Sequence, residues 1–332
     1  MASILVTGGR GFLGAQLVTR LVELGHRVRA ADLAATSDRT DIDYRRVDIT
    51  DPQAVALLCE GIDTVFHTAS LVHTRQSRAE SIWAVNLGGT NNLLAASQAA
   101  GVRRFVYVSS ASVVYEGKDI ENGDERLGYA GLSQAPYADS KIAAEKAVLA
   151  ANGVRELATC AIRPHVVFGP GDQRFLPALL QHAKAGRLKF QIGAGTWLSD
   201  FTYISNLVDA LVLAQEKLAL GSPVAGQPYF ITNGEPIPFW EFVRKLLARL
   251  SLPPIRYRIP RALAYGLAAI KEDLTGLFSK AGPAEDGLSR FAIRYMCTHH
   301  YFSIAKAERE LGYRPAISVA EGIERTCTSL KV

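Results

Sequence analysis

The order of apolar and polar positions predicts alternating strands and helices in the first half of the chain. Ser3 to Thr7 is a short β-branched run that ends in glycines, which is the pattern of a buried strand. Leucines at positions 13, 17, 21 and 24 then recur at helical spacing, and Gly25 favours the end of that helix. Further strands are predicted at 28–32, 64–67, 105–109 and 158–163, and one more strand is predicted to end at 47–48. Further helices are predicted at 52–59, 82–99 and 137–151.

This alternation predicts an α/β fold, in which a doubly wound parallel sheet is covered by helices on both faces. After Pro170 the pattern becomes irregular, and short strands and Pro-Gly loops separate the helical segments 176–186, 203–218 and 239–250. We therefore divide the chain into a sheet domain and a smaller C-terminal substrate lobe. The sheet domain is 1–169, with 201–232 returning to it, and the lobe is 170–200 and 233–332.

Composition and charge exclude several classes of protein. The chain has 332 residues, of which 48% are apolar and 21% charged, an ordinary globular mixture. Its 37 Lys and Arg against 32 Asp and Glu give a net charge of +5, and the basic residues are scattered among acids, so no nucleic-acid partner is expected. The N-terminus lacks signal-peptide features, and no apolar run approaches the ~18 residues of a membrane span. We expect a cytoplasmic protein with at most peripheral membrane contact.

A glycine-rich turn between the first strand and the first helix is the first functional signal. The glycines of Thr7-Gly-Gly-Arg-Gly-Phe-Leu-Gly14 have clear separate uses. Gly8 permits a tight turn, Gly11 lets a pyrophosphate approach the backbone, and Gly14 lets the helix pack closely on the strand. The N-terminus of the helix offers free N–H groups to phosphates. The motif predicts a Rossmann-type dinucleotide site.

An acid at the end of the second strand indicates which dinucleotide binds. Asp32 stands 18 positions after Gly14, where a carboxylate can accept hydrogen bonds from both ribose hydroxyls of NAD. The same carboxylate would repel the additional phosphate of NADP, and Arg10 is the one nearby residue that could favour it. NAD is therefore the expected cofactor, with NADP less favoured. Asp48 could reach the adenine amine or cap the helix near Pro52, and both uses stay open.

A tyrosine and a lysine four positions apart are the candidate catalytic pair. Tyr137 and Lys141 open a predicted helix and share one of its faces. The ammonium would lower the pKa of the tyrosine from its reference value near ~10, which makes the phenolate a usable base. Ser109 and Ser110 end the fifth strand, at the edge where parallel sheets carry their ligands, so a serine can hydrogen-bond the substrate oxygen beside Tyr137.

In this order the motifs resemble the extended short-chain dehydrogenase/reductases, over nearly the whole chain. Later stretches are similar to the 3β-hydroxysteroid dehydrogenase branch, above all to its members that oxidise and decarboxylate sterol 4α-carboxylates. These stretches are Ser109-Ser-Ala-Ser-Val-Val-Tyr-Glu-Gly117, Ala135-Pro-Tyr-Ala-Asp-Ser-Lys141 with 144–152, Ile162-Arg-Pro-His-Val-Val-Phe-Gly-Pro170, Asn233-Gly-Glu-Pro-Ile-Pro-Phe-Trp240 and His299-His-Tyr-Phe-Ser303.

The resemblance implies roles for individual residues. Ser110 would be the catalytic serine, Tyr137 the proton acceptor and Lys141 its partner. Asn86 would be a structural asparagine on the cofactor side, and the turn Arg163-Pro164-His165 would contact the nicotinamide end. The implied cofactor contacts are Gly8, Gly11, Phe12, Leu13, Gly14, Asp32, Asp48, Ile49, Ala69, Tyr137, Lys141, Pro164 and Val166. A homodimer is expected on the same ground.

The resemblance also implies a reaction. The 3β-hydroxyl of a 4α-carboxysterol would be oxidised by NAD, which leaves a β-keto acid that readily loses CO₂. Decarboxylation then needs no metal, because the new ketone accepts the electrons that CO₂ leaves behind. The substrate carboxylate needs a cationic partner, and Arg75 and Arg163 are the candidates.

Three other functions stay open. The first is a reductase of long-chain 2-alkyl-3-oxo acids with the same catalytic residues, although Asp32 disfavours the NADPH that reduction would use. The second is a nucleotide-sugar epimerase, against which the segments 233–240 and 297–303 weigh. The third is a dinucleotide-sensing regulator, which would have no need of an intact set of Ser110, Tyr137 and Lys141.

An amphipathic helix is predicted from Arg261 to Ser279. Its apolar positions recur at 4,3,4,3 spacing, and Lys271 to Asp273 occupy another face. Animal relatives, by the resemblance, carry a membrane segment here, whereas this stretch is too polar to span one. We expect the apolar face to cover the lobe core, or to form a lid over a flat apolar substrate that could touch a membrane. Its residues are Leu263, Leu267, Ile270, Leu274 and Leu277.

The remaining cysteines and histidines carry weaker signals. The four cysteines, at 59, 160, 297 and 327, form no CxxC pair and predict buried thiols. Cys297, His299 and His300 fit no zinc spacing, so no metal is expected and a buried strand with one paired histidine is favoured. His67 and His73 are expected to line the pocket. Tyr203 and Asn206 are expected to act as lobe contacts or helix caps.

Overall fold

The computed structural model describes residues 1–72, 78–131, 135–278 and 289–330. The strands are β1 (Ser3–Thr7), β2 (Arg27–Asp32), β3 (Asp43–Arg46), β4 (Thr64–His67), β5 (Arg104–Val108), β6 (Ile120–Gly123), β7 (Ala158–Pro164), β8 (Val167–Phe168), β9 (Phe190–Ile192), β10 (Leu198–Ser199), β11 (Thr202–Tyr203), β12 (Gln227–Ile231), β13 (Ile237–Pro238), β14 (Tyr257–Ile259) and β15 (His300–Phe302). The helices are α1 (Phe12–Glu23), α2 (Pro52–Leu58), α3 (Ala79–Trp83), α4 (Thr90–Ala99), α5 (Pro136–Ala150), α6 (Phe175–Lys184), α7 (Ile204–Lys217), α8 (Phe239–Arg249), α9 (Arg261–Phe278), α10 (Arg290–Met296), α11 (Ala305–Leu311) and α12 (Val319–Ser329).

Seven strands form the central sheet, in the order β12-β7-β5-β4-β1-β2-β3, and every neighbouring pair is parallel. This confirms the predicted doubly wound parallel sheet. The strand β12 follows α7 and pairs with β7, so the segment after the first lobe elements is part of the sheet. Because all strands point the same way, the carboxyl ends of β1, β2, β4, β5 and β7 lie along one edge, where such sheets bind ligands.

Strand side chains alternate between two apolar layers. Ile4 and Val6 of β1 pack in the layer that contains α1, α7 and α11, whereas Leu5 packs in the layer that contains α2, α4 and α5. All three side chains are fully buried. A strand that is covered on both faces reads as a continuous apolar run, which explains why β1, β4 and β5 were recognisable from sequence.

The lobe is built around a second sheet and a cluster of aromatic rings. Its four strands are in the order β13-β10-β15-β6, and β6 comes from the segment 1–169 rather than from the lobe. Phe201 and Phe242 stack with their centroids 3.8 Å apart, and this pair joins the segment beside β11 to α8. Asn206 accepts hydrogen bonds from the backbone N–H groups of Ala316 and Ile317, so it is a lobe contact, one of the two uses expected for it.

The helix α9 packs in a different orientation from the one expected. Ala264 and Ala268 are the buried positions, and they lie in the cluster that contains Trp240 and Ile293. Leu263, Leu267 and Ile270 are 56%, 53% and 59% exposed, so the prediction that this apolar face covers the lobe core is wrong. Two alanines one turn apart let the helix axis approach its neighbours closely, and the larger leucines are left on the solvent side. The side chains of Leu274 and Leu277 lie outside the described residues.

No helix among the described residues is both long enough and apolar enough to cross a membrane.

Candidate active site

The glycine turn after β1 brings two backbone segments into direct contact. A Cβ on Gly14 would lie 2.0 Å from the carbonyl oxygen of Gly8, and a Cβ on Gly8 would lie 2.9 Å from the backbone of Ala69. Gly8 also has a φ of +69°, in the left-handed region that favours glycine. The residue before α1, Gly11, has no side chain to cap the helix, so no capping side chain among the described residues occupies its first N–H groups. This is a cradle for a phosphate group.

Asp32 ends β2 beside this cradle. Its carboxylate accepts hydrogen bonds from the backbone N–H groups of Arg10, at 3.0 Å, and Leu33, at 2.8 Å, which fixes its orientation. The guanidinium of Arg10 donates to the carbonyl of Thr36 on the following loop. The structure therefore brings Asp32 and the glycine turn together, as a dinucleotide with its ribose on Asp32 and its pyrophosphate on the helix would require.

The structure decides whether Asp48 caps the helix near Pro52, which was one of its two expected uses. Asp51, not Asp48, caps α2, because its carboxylate accepts the N–H groups of Gln53 and Ala54. Asp48 accepts hydrogen bonds from the N–H and hydroxyl of Thr50, so the capping alternative is wrong for it. Ile49 is buried and packs against Gly89, where a Cβ would lie 2.5 Å from its Cδ1.

His67, at the end of β4, contacts Thr7, the residue that begins the glycine turn. Its ring nitrogens hydrogen-bond Thr7 at 2.8 Å and Thr90 at 2.9 Å, and its side chain is fully buried. Burial and then the charge of Lys141 lower the pKa of His67 to about 3, so it is neutral. The expectation that it lines the pocket is wrong, since no part of it is exposed. His73 lies outside the described residues.

Ser110, Tyr137 and Lys141 meet at the end of β5. Ser110 begins the turn that follows the strand, and its side chain is close enough to Tyr137 to act on the pKa of the phenol. Tyr137 is the second residue of α5, and Lys141 lies one turn further along the helix. The ammonium of Lys141 is buried, donates to the carbonyl of Val108 at 2.8 Å and lies 4.7 Å from the centre of the Tyr107 ring. The lysine thus fastens the helix to the strand that positions the serine.

The electrostatics of the pair differ from the expectation. Burial raises the pKa of Tyr137, while its hydrogen bond with Ser110 and the charge of Arg174 act in the opposite direction. The predicted lowering is wrong in this structure because desolvation of the phenolate outweighs the favourable contacts. Burial also lowers the pKa of Lys141 to about 7, and the carboxylate of Glu145 acts to raise it.

Asn86 links the cofactor side to the catalytic helix. It lies in a π-helical turn, Ala84–Gly89, which interrupts the single helix predicted at 82–99. Its amide accepts from the N–H of Leu71 and donates to the carbonyl of the same residue and to Ser140, whose hydroxyl donates to the carbonyl of Tyr137. The sequence contains no signal for the π turn, because the apolar spacing of 82–99 is that of a regular helix.

Arg163 does not reach the substrate side. Its guanidinium binds the carboxylate of Glu145 at 2.5 to 3.2 Å, and both side chains are buried. Tyr129 donates to the same carboxylate. Arg163 is therefore wrong as a candidate for binding a substrate carboxylate, and Arg75 lies outside the described residues. Glu145, four positions after Lys141, was the missed residue, and that helical spacing was the available signal.

Beyond Pro164, a closed set of hydrogen bonds joins the sheet to the lobe. His165 and His300 share a hydrogen bond of 2.8 Å, the hydroxyl of Tyr295 is 3.2 Å from His165, and His300 lies 2.7 Å from the carbonyl of Tyr295. Val166, among the implied cofactor contacts, has a φ of +25°, a strained value for a β-branched residue. His300 is thus the paired histidine of a buried strand, as expected. Tyr295 is a member of this set that the sequence did not indicate, because His165 is 130 positions away.

Comparisons with known proteins agree with this geometry. Residues 5–261 match the 3-beta hydroxysteroid dehydrogenase/isomerase family. The chain is 38% identical over 325 residues to the Mus musculus protein named "Sterol-4-alpha-carboxylate 3-dehydrogenase, decarboxylating", covering 98% of this chain and 90% of the relative. It is 41% identical over 326 residues to a "2-alkyl-3-oxoalkanoate reductase" of Stenotrophomonas maltophilia, covering 97% of each.

Solved structures resemble the whole fold. The structure named "MoeE5 in complex with UDP-glucose and NAD" has a TM-score of 0.73 at 26% identity and covers 99% of this chain and 98% of its own. The family match extends over most of the chain and includes the glycine turn, the serine segment and the Tyr137–Lys141 helix. The chain therefore belongs to the 3-beta hydroxysteroid dehydrogenase/isomerase family of oxidoreductases.

Proposed function

We propose that this protein is an NAD-dependent dehydrogenase that oxidises the 3β-hydroxyl of a 4α-carboxysterol, with loss of CO₂. The observation that carries the proposal is the placement of Ser110, Tyr137 and Lys141 together at the carboxyl end of β5, on the edge of the sheet that also holds the glycine turn and Asp32. The similarity to the mouse decarboxylating dehydrogenase over 98% of the chain supports the substrate.

The residues divide the oxidation between them. Tyr137 takes the proton of the 3β-hydroxyl, and Ser110 donates a hydrogen bond to the same oxygen. Lys141 holds the helix that carries Tyr137, because its ammonium donates to the carbonyl of Val108 on β5. NAD, when bound, supplies the acceptor for the hydride that leaves C3.

Loss of CO₂ follows from the position of the carboxyl group. Oxidation at C3 places the 4α-carboxyl β to a ketone. When the carbon–carbon bond breaks, its electron pair moves to the ketone oxygen and forms an enolate. The hydroxyls of Ser110 and Tyr137, already directed at that oxygen, would stabilise the negative charge and return a proton.

NAD is preferred over NADP in this proposal because of Asp32. The second phosphate of NADP would lie against a half-buried carboxylate that is fixed by two backbone N–H groups. In the described structure Arg10 is held by Thr36, on the loop that follows β2. Its guanidinium would have to leave this contact to meet a phosphate.

A second candidate is the reduction of a 2-alkyl-3-oxo acid. The relative from S. maltophilia with that name favours it, since it is 41% identical and is matched over 97% of its length. The same residues would act in reverse, with Tyr137 as the proton donor. The two candidates differ in reaction direction and in the shape of the apolar part of the substrate.

We also propose that α9 touches an anionic membrane surface. Leu263, Leu267 and Ile270 are exposed on it, and the exposed Arg256, Arg258 and Arg261 immediately precede or begin it. No acidic residue occurs between 250 and 270. An apolar stripe with flanking cations is the combination that binds anionic lipid interfaces.

Cofactor choice depends on Asp32. We expect Asp32→Ala to reduce the preference for NAD over NADP by about tenfold, chiefly through the KM values, because roughly 1.4 kcal/mol of repulsion is removed. Steady-state kinetics with both cofactors measures this, with Glu60→Ala as an exposed acidic control. Equal use of NAD and NADP by the unmodified protein would contradict the proposed role and favour the reductase candidate.

Turnover depends on the phenol of Tyr137. Tyr137→Phe keeps the ring and removes the ionisable oxygen, so turnover should fall at least ~100-fold while NAD binding stays nearly intact. Lys141→Met should also lose most activity, because α5 is no longer attached to the carbonyl of Val108 on β5. Tyr257→Phe, at a tyrosine that is 56% exposed, is the matched control. Near-normal turnover of Tyr137→Phe would place the base elsewhere.

The reaction itself is tested by its stoichiometry. Incubation of the protein with NAD and a 4α-carboxysterol should give NADH, CO₂ and the 3-ketosteroid in equal amounts. A 4-methylsterol should give no CO₂, because it has no carboxyl group to lose. NADH from simple 3β-hydroxysteroids but none from the 4-carboxysterol would refute the decarboxylating assignment.

Membrane contact is tested by sedimentation with vesicles of phosphatidylcholine and phosphatidylserine. The double variant Leu263→Ser, Leu267→Ser should lower binding at least ~10-fold, since each leucine contributes about 1.5–3 kcal/mol when it leaves water. A matched pair at exposed leucines elsewhere, Leu33→Ser, Leu57→Ser, should bind like the unmodified protein. Unmodified protein that stays in the supernatant would refute this contact.

A further inference from the structure

An arginine at the start of α6 lies at the opening of the catalytic site. Arg174 is exposed and is the last residue before α6, in the turn that follows β8. The beginning of this turn contacts the dinucleotide cradle, since Gln16 donates to the carbonyl of Pro170 and a Cβ on Gly171 would lie 3.9 Å from the ring of Phe12. Arg174 therefore projects from a turn that borders the cofactor side.

A short series of contacts connects Arg174 to the catalytic tyrosine. Its guanidinium donates to the carbonyl of Val72, across from the lobe, in the loop after β4. The neighbouring Leu71 is held at both its N–H and its carbonyl by Asn86. Asn86 also binds Ser140, whose hydroxyl donates to the carbonyl of Tyr137. The guanidinium of Arg174 is thus bound to the loop that Asn86 and Ser140 connect to the backbone of Tyr137.

The positive charge of Arg174 acts to lower the pKa of Tyr137. Burial raises the pKa of Tyr137, and the groups that oppose this shift are Ser110, through a hydrogen bond, and Arg174, through its positive charge. Nearby, the carboxylate of Asp172 is used by the N–H groups of Arg174, Phe175 and Leu176, which it caps as the first turn of α6. Its oxygens therefore point at backbone groups of the helix.

Three other cations near the site, among the residues that the structure describes, already have partners. Lys141 donates to the carbonyl of Val108 and lies over the ring of Tyr107, and Arg163 is paired with Glu145. Arg294, on α10, donates to the hydroxyl of Tyr265 and lies over its ring. Within the part of the chain that the structure describes, the guanidinium of Arg174 donates to the carbonyl of Val72, which leaves most of its five N–H donors for a ligand.

The substrates named for two relatives share one chemical feature. A sterol 4α-carboxylate that reacts at C3 and a 2-alkyl-3-oxoalkanoate both carry a carboxylate on the carbon next to the one that bears the reacting oxygen. When the reacting oxygen lies at Ser110 and Tyr137, such a carboxylate needs a cation beside this pair, and Arg174 is a cation whose charge acts on Tyr137. Guanidinium binds carboxylate with two parallel hydrogen bonds, which also fixes the orientation of the carbinol carbon.

We propose that Arg174 binds the carboxylate of a β-hydroxy or β-oxo acid, which makes such acids, on a sterol ring or an acyl chain, the substrate class of this site. The inference rests on the proposed function, since it assumes that the substrate oxygen meets Ser110 and Tyr137. An ion pair stabilises a carboxylate more than the CO₂ that forms from it. Arg174 therefore serves binding and orientation, and not the cleavage of the carbon–carbon bond.

The test compares each acid with its own methyl ester, which removes the charge and keeps the shape. The compounds are a 4α-carboxy-3β-hydroxysterol, a 2-alkyl-3-hydroxyalkanoate and their two esters. In Arg174→Gln, kcat/KM for the preferred acid should fall about 10- to 100-fold, mainly through KM, as expected for a charged hydrogen bond. The value for its ester should stay within about twofold. The acid that shows the effect identifies the apolar part of the substrate.

Two further variants separate recognition from general damage. Arg174→Lys keeps the charge but loses the paired donors. Its kcat/KM for the preferred acid should therefore lie between the values of the unmodified protein and of Arg174→Gln. Arg187→Gln, an exposed arginine just after the other end of α6, should behave like the unmodified protein. If Arg174→Gln lowers kcat/KM equally for the acid and its ester, or for neither of them, the assignment is overturned.

Equilibrium binding in the presence of NAD distinguishes failure of this inference from failure of the proposed function. If none of the four compounds is turned over, the proposed oxidation is wrong. Tighter binding of an acid than of its ester that disappears in Arg174→Gln would still support a carboxylate site. Equal binding of acid and ester by the unmodified protein would refute that site.

Discussion

The buried ammonium of Lys141 is the constraint on which the site depends. Removing an ammonium from water costs several kcal/mol, so it must be compensated by fixed partners. Here the carbonyl of Val108 accepts a hydrogen bond from the ammonium, which lies over the ring of Tyr107. Both partners belong to β5, so the lysine locks α5 in one position on that strand. This lock places Tyr137 beside Ser110, which immediately follows the strand.

Charged residues behind the lysine maintain this arrangement. Glu145 lies one helical turn beyond Lys141 and is fixed by Arg163 and Tyr129. With the pKa of Lys141 lowered to about 7 by burial, the carboxylate of Glu145 helps the ammonium to remain charged near neutral pH. On the other side, Asn86 ties α5 to the loop after β4. The catalytic pair is thus held from the helix, the strand and the cofactor side together.

Features encoded by local patterns could be predicted from the sequence. The parallel sheet follows from apolar strand runs separated by helical periods, and the glycine turn and Asp32 follow from fixed spacing after one strand. The Tyr137–Lys141 pair follows from the pitch of a single helix. These positions needed no knowledge of distant contacts, because a parallel sheet gathers its strand ends at one edge.

Features that depend on distant partners could not be predicted in the same way. From the sequence, Arg163 was expected to be available for a substrate, but in the structure it is paired with Glu145. His67 was expected to line the pocket, but it is buried and hydrogen-bonded to Thr7 and Thr90. The leucines of α9 have the spacing of a core-facing stripe, yet Ala264 and Ala268 make the contact. Helical periodicity identifies an apolar face, but the neighbouring surface decides which face is buried.

The central claim is that this edge of the sheet transfers hydride from a carbinol carbon to NAD, with Tyr137 as the base. The most direct measurement is a single turnover with substrate deuterated at that carbon. We predict that deuterium appears at the nicotinamide ring of the reduced cofactor, and that the transfer is lost in Tyr137→Phe although NAD still binds. Deuterium released to water, with none in the cofactor, would contradict hydride transfer and require proton abstraction at this site.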